Sequence, residues 1–119
     1  MFVTVLVRRL KPGKTEDDFL HAWYPDKGFG FPGQGPFLAR NINEPREILT
    51  YGLVDLADRA GLDRELARVA RQEAVRHERI ANMIESTTFR GVFEMTHAFD
   101  FSTDEAVARG RASWLSSPD

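Results

Sequence analysis

Phe2-Val3-Thr4-Val5-Leu6-Val7-Arg8-Arg9-Leu10, followed by Lys11-Pro12-Gly13, decides the fold. Its β-branched content reads as a strand, and the Pro-Gly pair as the turn that ends it. Successive strand residues point to opposite faces. Here both sets, Phe2/Thr4/Leu6 and Val3/Val5/Val7, are mostly apolar. A strand that is apolar on both faces needs cover on both. Helices on one side, and a second sheet or subunit on the other, would meet that need.

Working outward, Thr15 can cap a helix through its hydroxyl, and Glu16, Asp17 and Asp18 suit the positive end of the helix dipole. Phe19, Leu20 and Trp23 share one face of this helix, which Pro25 stops. Residues 26–36 hold four glycines and two prolines and read as a loop. No strand precedes this loop and no helix follows it, as a phosphate cradle would require. Its Phe29 and Phe31 are expected at a core edge or as the lid of a pocket. Residues 37–43 and 47–55 form an antiparallel hairpin about the turn Glu44-Pro45-Arg46. A helical stub at 56–60 and a weak point at Gly61 precede a helix body over 62–84, with a stripe of Leu62, Leu66, Val69, Ile80 and Ile84. Residues 91–101 read as a fourth strand, since Phe93, Met95, His97, Phe99 and Phe101 alternate onto one face. Ser102 and Glu105 match a capping box that opens a short helix to about Leu115.

The order βαββαβ predicts an α+β, ferredoxin-like domain over 1–101, with helices on one face of a four-stranded antiparallel sheet and a helical extension over 102–119. The other sheet face needs cover, and a second copy of the chain would supply it, so a homodimer is expected.

At 119 residues, 42% hydrophobic and 29% charged, the chain has the size and composition of one domain. There is no cysteine, which removes disulfides, thiolate metal sites and cysteine nucleophiles. No apolar run approaches the ~20 residues of a membrane span. The first residues lack the basic region of a signal peptide, and a cytoplasmic location is expected. The net charge of −2 comes from 18 acidic and 16 basic residues. Arg68, Arg71, Arg76 and Arg79 lie among Glu65, Glu73 and Glu78, as on a solvated helix face. Neither a nucleic-acid partner nor a membrane partner is therefore expected.

Val7-Arg8-Arg9-Leu10-Lys11-Pro12-Gly13-Lys14, followed by Glu16, Phe19 and Ala22-Trp23, resembles the start of the antibiotic-biosynthesis-monooxygenase-like family. The element order over residues 2–101 resembles that family too. The resemblance implies a dimeric α/β barrel: two sheets face each other, and each subunit has a pocket between sheet and helices. Many members carry a tryptophan after the third strand, where this chain has Val54-Asp55-Leu56-Ala57-Asp58. Haem-degrading members are recognised by an Asn–Trp–His trio with the Asn on the first strand. The first strand here has no asparagine, no tryptophan lies between Pro25 and Trp114, and His77 alone could match the trio. Haem is not expected, nor any other cofactor.

Glu73 and His77 stand at i and i+4 inside the apolar stripe of the second long helix, so their side chains can meet. A buried histidine oriented by a carboxylate can serve as a general base; the pair can equally be a locally satisfied structural contact. His97, on the apolar face of the expected fourth strand, is the second catalytic candidate or else a core histidine. Trp23, Tyr51 and Phe31 are the candidate substrate-binding walls. Such a pocket fits a flat, mostly apolar, aromatic ligand. No zincin spacing surrounds His77-Glu78, no nucleophile elbow surrounds any serine, and no metal site is expected. Two functions stay open. One is a cofactor-independent monooxygenase acting on an aromatic or polyketide-like substrate. The other is a non-catalytic ligand-binding or interaction domain on the same scaffold.

Overall fold

The computed structural model describes residues 1–23 and 28–106. Its elements are β1 (Phe2–Leu10), α1 (Glu16–Trp23), β2 (Gly33–Arg40), β3 (Glu47–Val54), α2 (Arg59–Ile80), a 3₁₀ turn (Ala81–Met83) and β4 (Ile84–Glu94). All pairings are antiparallel and the sheet order is β2-β3-β1-β4. This is the expected ferredoxin-like α+β arrangement.

The helices begin where local chemistry dictates. Thr15 Oγ1 accepts from the Asp18 amide at 3.2 Å, and Asp18 Oδ2 accepts from the Thr15 amide at 2.9 Å. This reciprocal box satisfies two amides that the first turn leaves free. Hydrogen bonds from the Thr15 amide and hydroxyl hold the Asp18 carboxyl below its ordinary range. In α2 the cap is Asp58, which accepts from the Gly61 amide at 2.7 Å. Gly61 is therefore part of a continuous first turn, not a break between a stub and a body. A Cβ there would come within 3.1 Å of that same Asp58 oxygen.

The last strand departs from expectation. It runs over Ile84–Glu94 rather than 91–101, and α2 ends at Ile80. The length of β1 explains this: Leu10 pairs with Ile84 and Phe2 with Glu94, with register shifts after Val7 and Arg9. Beyond Glu94 one further bond, Met95 N–H to Met1 O, closes the ladder, and β1 has nothing more to offer. The alternation over 93–101 is real in sequence but mostly overruns its partner. No helix starts at Ser102: its amide bonds Asp100 and the Glu105 amide reaches Thr103, and residues 102–106 are bends and coil. The remainder of the expected extension, 107–119, lies outside the described residues, as does Pro25.

At the other edge, β2 begins at Gly33, inside the stretch expected to be loop, and pairs with Val54. The approach is so close that a Cβ on Gly33 would overlap the Leu53 carbonyl. Only glycine permits that contact and the positive φ of 134°.

The core is split. Leu10, Phe19, Trp23, Ile48 and Ile80 form one buried cluster. Phe2, Val54 and Leu62 form another at the opposite end of β1. Each fully buried large apolar side chain contributes about 1.5–3 kcal/mol. Between the two clusters, the helix-covered face of the sheet carries Thr4, Leu6, Arg8, Thr50 and Gly52, and the space above them is a cavity.

Candidate functional site

The cavity measures about 670 Å³. Its floor is the middle of β1, β3 and β4, one wall is α2, and residues 28–36 close a side. Phe29, Phe31, Leu66 and Val69 supply apolar surface. Arg68, on α2 outside the cavity, donates to the carbonyls of Phe29 and Gly30 at 2.9 and 3.2 Å and so ties that loop to the helix.

Polar groups gather at the end nearest Phe19. Arg8 is buried, with 4% of its surface exposed. Its guanidinium donates to Thr50 Oγ1 and to His77 Nε2, both at 3.3 Å, and lies 5.7 Å from the Phe19 ring centre. A guanidinium has no acceptor, so His77 Nε2 carries the lone pair and the ring proton sits on Nδ1. Burial, reinforced by Arg76 and Arg90 and opposed by Glu73, pushes Arg8 down to about 10. Arg8 is still a cation at neutral pH.

His77 is held below its ordinary histidine value. Burial is the main cause, followed by the positive charge of Arg8; Glu73 opposes, and Arg76 and Arg90 add to the lowering. Glu73 Oε2 lies 3.5 Å from His77 Nε2, but its carboxylate is engaged by Arg76 Nη2, at 2.8 and 3.0 Å. The expected Glu73–His77 meeting therefore occurs without the expected polarity. The carboxylate orients an arginine, and the imidazole is neutral and faces a guanidinium. Arg76 in turn is stacked between aromatic rings, 4.7 Å from Trp23 and 5.3 Å from Phe29.

Of the residues singled out from sequence, His77, Glu73, Trp23 and Phe31 all line this cavity. Tyr51 borders it, but its register opposite Val5 places its ring on the far face of the sheet. There it packs 5.0 Å from Phe37. His97 is excluded: it lies past the end of β4, exposed, bonded to Thr96 and stacked on Phe99. His21 is exposed and bonded to the Asp17 carbonyl.

Sequence reasoning missed the arginines. Arg8 continues the inward set Phe2/Thr4/Leu6, so its place on that alternation was the available signal. The charge pattern of α2 puts Arg76 on a solvated face, although it adjoins His77 and follows Glu73 by three residues. Among the described residues no group of three histidine or carboxylate side chains is placed to hold a metal ion, and no helix is long and apolar enough to cross a membrane.

No protein-family model and no curated protein matches the chain. Solved structures match in fold, among them the following two. A "putative Antibiotic biosynthesis monooxygenase" from Chloroflexus aurantiacus J-10-fl is 14% identical, with a TM-score of 0.52, covering 76% of this chain and 88% of that one. A second "putative antibiotic biosynthesis monooxygenase", from Nitrosomonas europaea, is 17% identical, with a TM-score of 0.50, covering 77% of this chain and 93% of that one. The resemblance read from the Pro12-Gly13-Lys14 region thus has its counterpart in three dimensions. The chain folds as those structures do.

Proposed function

We propose that this chain is a small-molecule enzyme, a cofactor-independent monooxygenase for a flat aromatic or polyketide-like substrate, and that it acts as a homodimer. One observation carries the enzymatic reading: a neutral imidazole with its Nε2 lone pair turned toward a guanidinium, in an aromatic-walled cavity. That pairing suits removal of a proton and stabilisation of the anion left behind.

For an anthrone-like substrate, His77 Nε2 takes a proton from the acidic methylene, and Arg8 shifts its donor from Nε2 to the developing oxyanion. The electron-rich carbon then reduces molecular oxygen by forming a C–O bond, giving a peroxide. The peroxide regains the proton from His77 and loses water, leaving a carbonyl. One substrate and one O₂ become one ketone and one water. Neither haem nor metal enters this scheme, and the apolar walls of the cavity limit the anion's contact with bulk water.

Oxygen uptake with 1,8-dihydroxyanthrone tests it. The wild type should accelerate uptake above the spontaneous rate. His77→Gln should lose about 10²–10⁴-fold of that acceleration while staying folded. No acceleration, or an unaffected variant, defeats the enzymatic reading. The Arg8 donor on Nε2 also supports a second reading, in which the base stays engaged and the chain is a ligand-binding domain; saturable binding without oxygen uptake would assign it.

The dimer reading rests on the sheet face away from the helices. Val3, Val5 and Val7 stand there opposite Leu53, Tyr51 and Leu49 on one side and Phe93, Gly91 and Phe89 on the other. Phe37, Phe89 and Phe93 are 39%, 44% and 51% exposed. An apolar patch that wide is uncommon on a monomer.

A further inference from the structure

Both fully buried side-chain polar atoms without a partner among the described residues are donors. Arg8 makes no ion pair with a carboxylate among the described residues. Its contacts to Thr50 and His77 employ one N–H on each terminal nitrogen, leaving three of the five a guanidinium carries. The Trp23 indole Nε1–H is buried with no acceptor, and so is Arg76 Nε. Trp23 is 6% exposed and Arg8 4%. Both flank the same ring: Phe19 lies 5.7 Å from the Arg8 guanidinium and is stacked on Trp23 at 5.6 Å. Arg8 therefore stands at the Phe19 end of the cavity. The opposite end is apolar, where Phe31 packs against the Phe2–Val54–Leu62 cluster.

The neighbouring charges do not neutralise Arg8. Glu73, the carboxylate of the cavity wall, is held through both its oxygens by Arg76. Arg90, at the same wall, adds positive charge. A guanidinium removed from water without a counterion destabilises a fold, as does a buried indole N–H without an acceptor. The cost at Arg8 falls when an anionic, acceptor-only group occupies the site.

We infer that the Phe19 end of the cavity, through Arg8, is a recognition site for a carboxylate carried by the substrate. The carboxylate then fixes the molecule's direction, with its charged end on Arg8 and its apolar body toward Phe31. This rests on the reading of the cavity as the seat of a flat, mostly apolar substrate.

Calorimetric titration with three probes separates the two ideas: anthraquinone-2-carboxylate, its isosteric carboxamide, and hexanoate. The wild type should bind the carboxylate about tenfold or more tighter than the carboxamide, as charge-assisted hydrogen bonding predicts. Arg8→Met should abolish that preference. It should also melt at or above the wild-type temperature, because it removes an uncompensated buried charge. Arg8→Lys should retain part of the preference. Equal wild-type affinity for the two anthraquinones, or an Arg8→Met protein that keeps the preference, overturns the inference and spares the flat-substrate reading. Arg8-dependent binding of hexanoate with neither anthraquinone bound upholds the carboxylate site and defeats the flat-substrate reading. Failure of both carboxylates to bind overturns the site. If Arg8→Met does not fold, the wild-type ratio alone decides.

Discussion

The two faces of the sheet are reversed relative to a self-sufficient monomer. Under the helices, where a core is expected to be dry, the middle of β1 presents Thr4 and Arg8, with Thr50 beside them on β3. On the open side, where water is expected, the same strands present Val3, Val5, Val7, Leu49 and Leu53. Buried polarity opposite exposed apolarity is a poor solution for stability alone. It is a coherent one if the covered face holds a ligand and the open face holds another sheet.

The largest disturbance of this contrast comes from charging the open face at its centre. Val5 lies between Tyr51 and Gly91, so Val5→Asp would place a carboxylate in the middle of the proposed interface. Sedimentation velocity should show a dimer for the wild type and a monomer for the variant, a loss of about 3–5 kcal/mol of association energy. A wild-type protein that sediments as a stable monomer at micromolar concentration would refute the assembly.

The covered face is probed by pH. His77 is depressed in the folded chain, so near pH 6 the unfolded chain binds more protons at this residue than the folded one. Its contribution to stability is therefore complete above the unfolded value of about 6.5 and is lost as pH falls through the lower folded value. The melting temperature should decline on that acidic limb, and His77→Gln should flatten the decline. Catalysis by the neutral base should persist below pH 6.5 as well. A midpoint for kcat/KM at or above the ordinary histidine value would contradict the Arg8–His77 arrangement.

A finer test returns to the open face. Phe89 and Phe93 stack at 5.9 Å around Gly91, where a Cβ would meet their rings at 3.2 and 3.1 Å. Gly91→Ala should push the rings apart and weaken the dimer by about 1 kcal/mol, comparable to an aromatic pair's own contribution. An unchanged dimer constant would show that the stack lies outside the contact.

How much of this was legible beforehand depended on whether a residue's fate is set locally. The first strand, the Thr15 cap, the hairpin and the element order follow from neighbours in the chain, and all appear in the structure. The fourth strand does not follow locally: 93–101 alternates as well as 84–94 does, and the length of β1 chooses between them. His97 was misplaced along with that strand. In the site, the Glu73–His77 proximity follows from helical spacing. The identity of their partners does not, because Arg8 arrives from a strand 69 residues away. Arginine clusters on a helix look alike in sequence whether solvated or, like Arg76, sandwiched between rings from α1 and from the loop.

The tether made by Arg68 holds one wall of the cavity from outside the lining. Arg68 grips the Phe29 and Gly30 carbonyls from outside, with its side chain half exposed and its Nε paired to Glu65. It touches the wall's backbone and contributes nothing to the cavity lining. Loosening it should alter how fast a molecule is admitted and released, and leave the ratio of those rates nearly untouched. Stopped-flow mixing of anthraquinone-2-carboxylate with Arg68→Ala should show association and dissociation quickened together, by a few-fold at most. A changed equilibrium constant at unchanged association rate would mean that Arg68 shapes the bound state itself. Association and dissociation quickened together would make residence time a property set from the protein's outer surface.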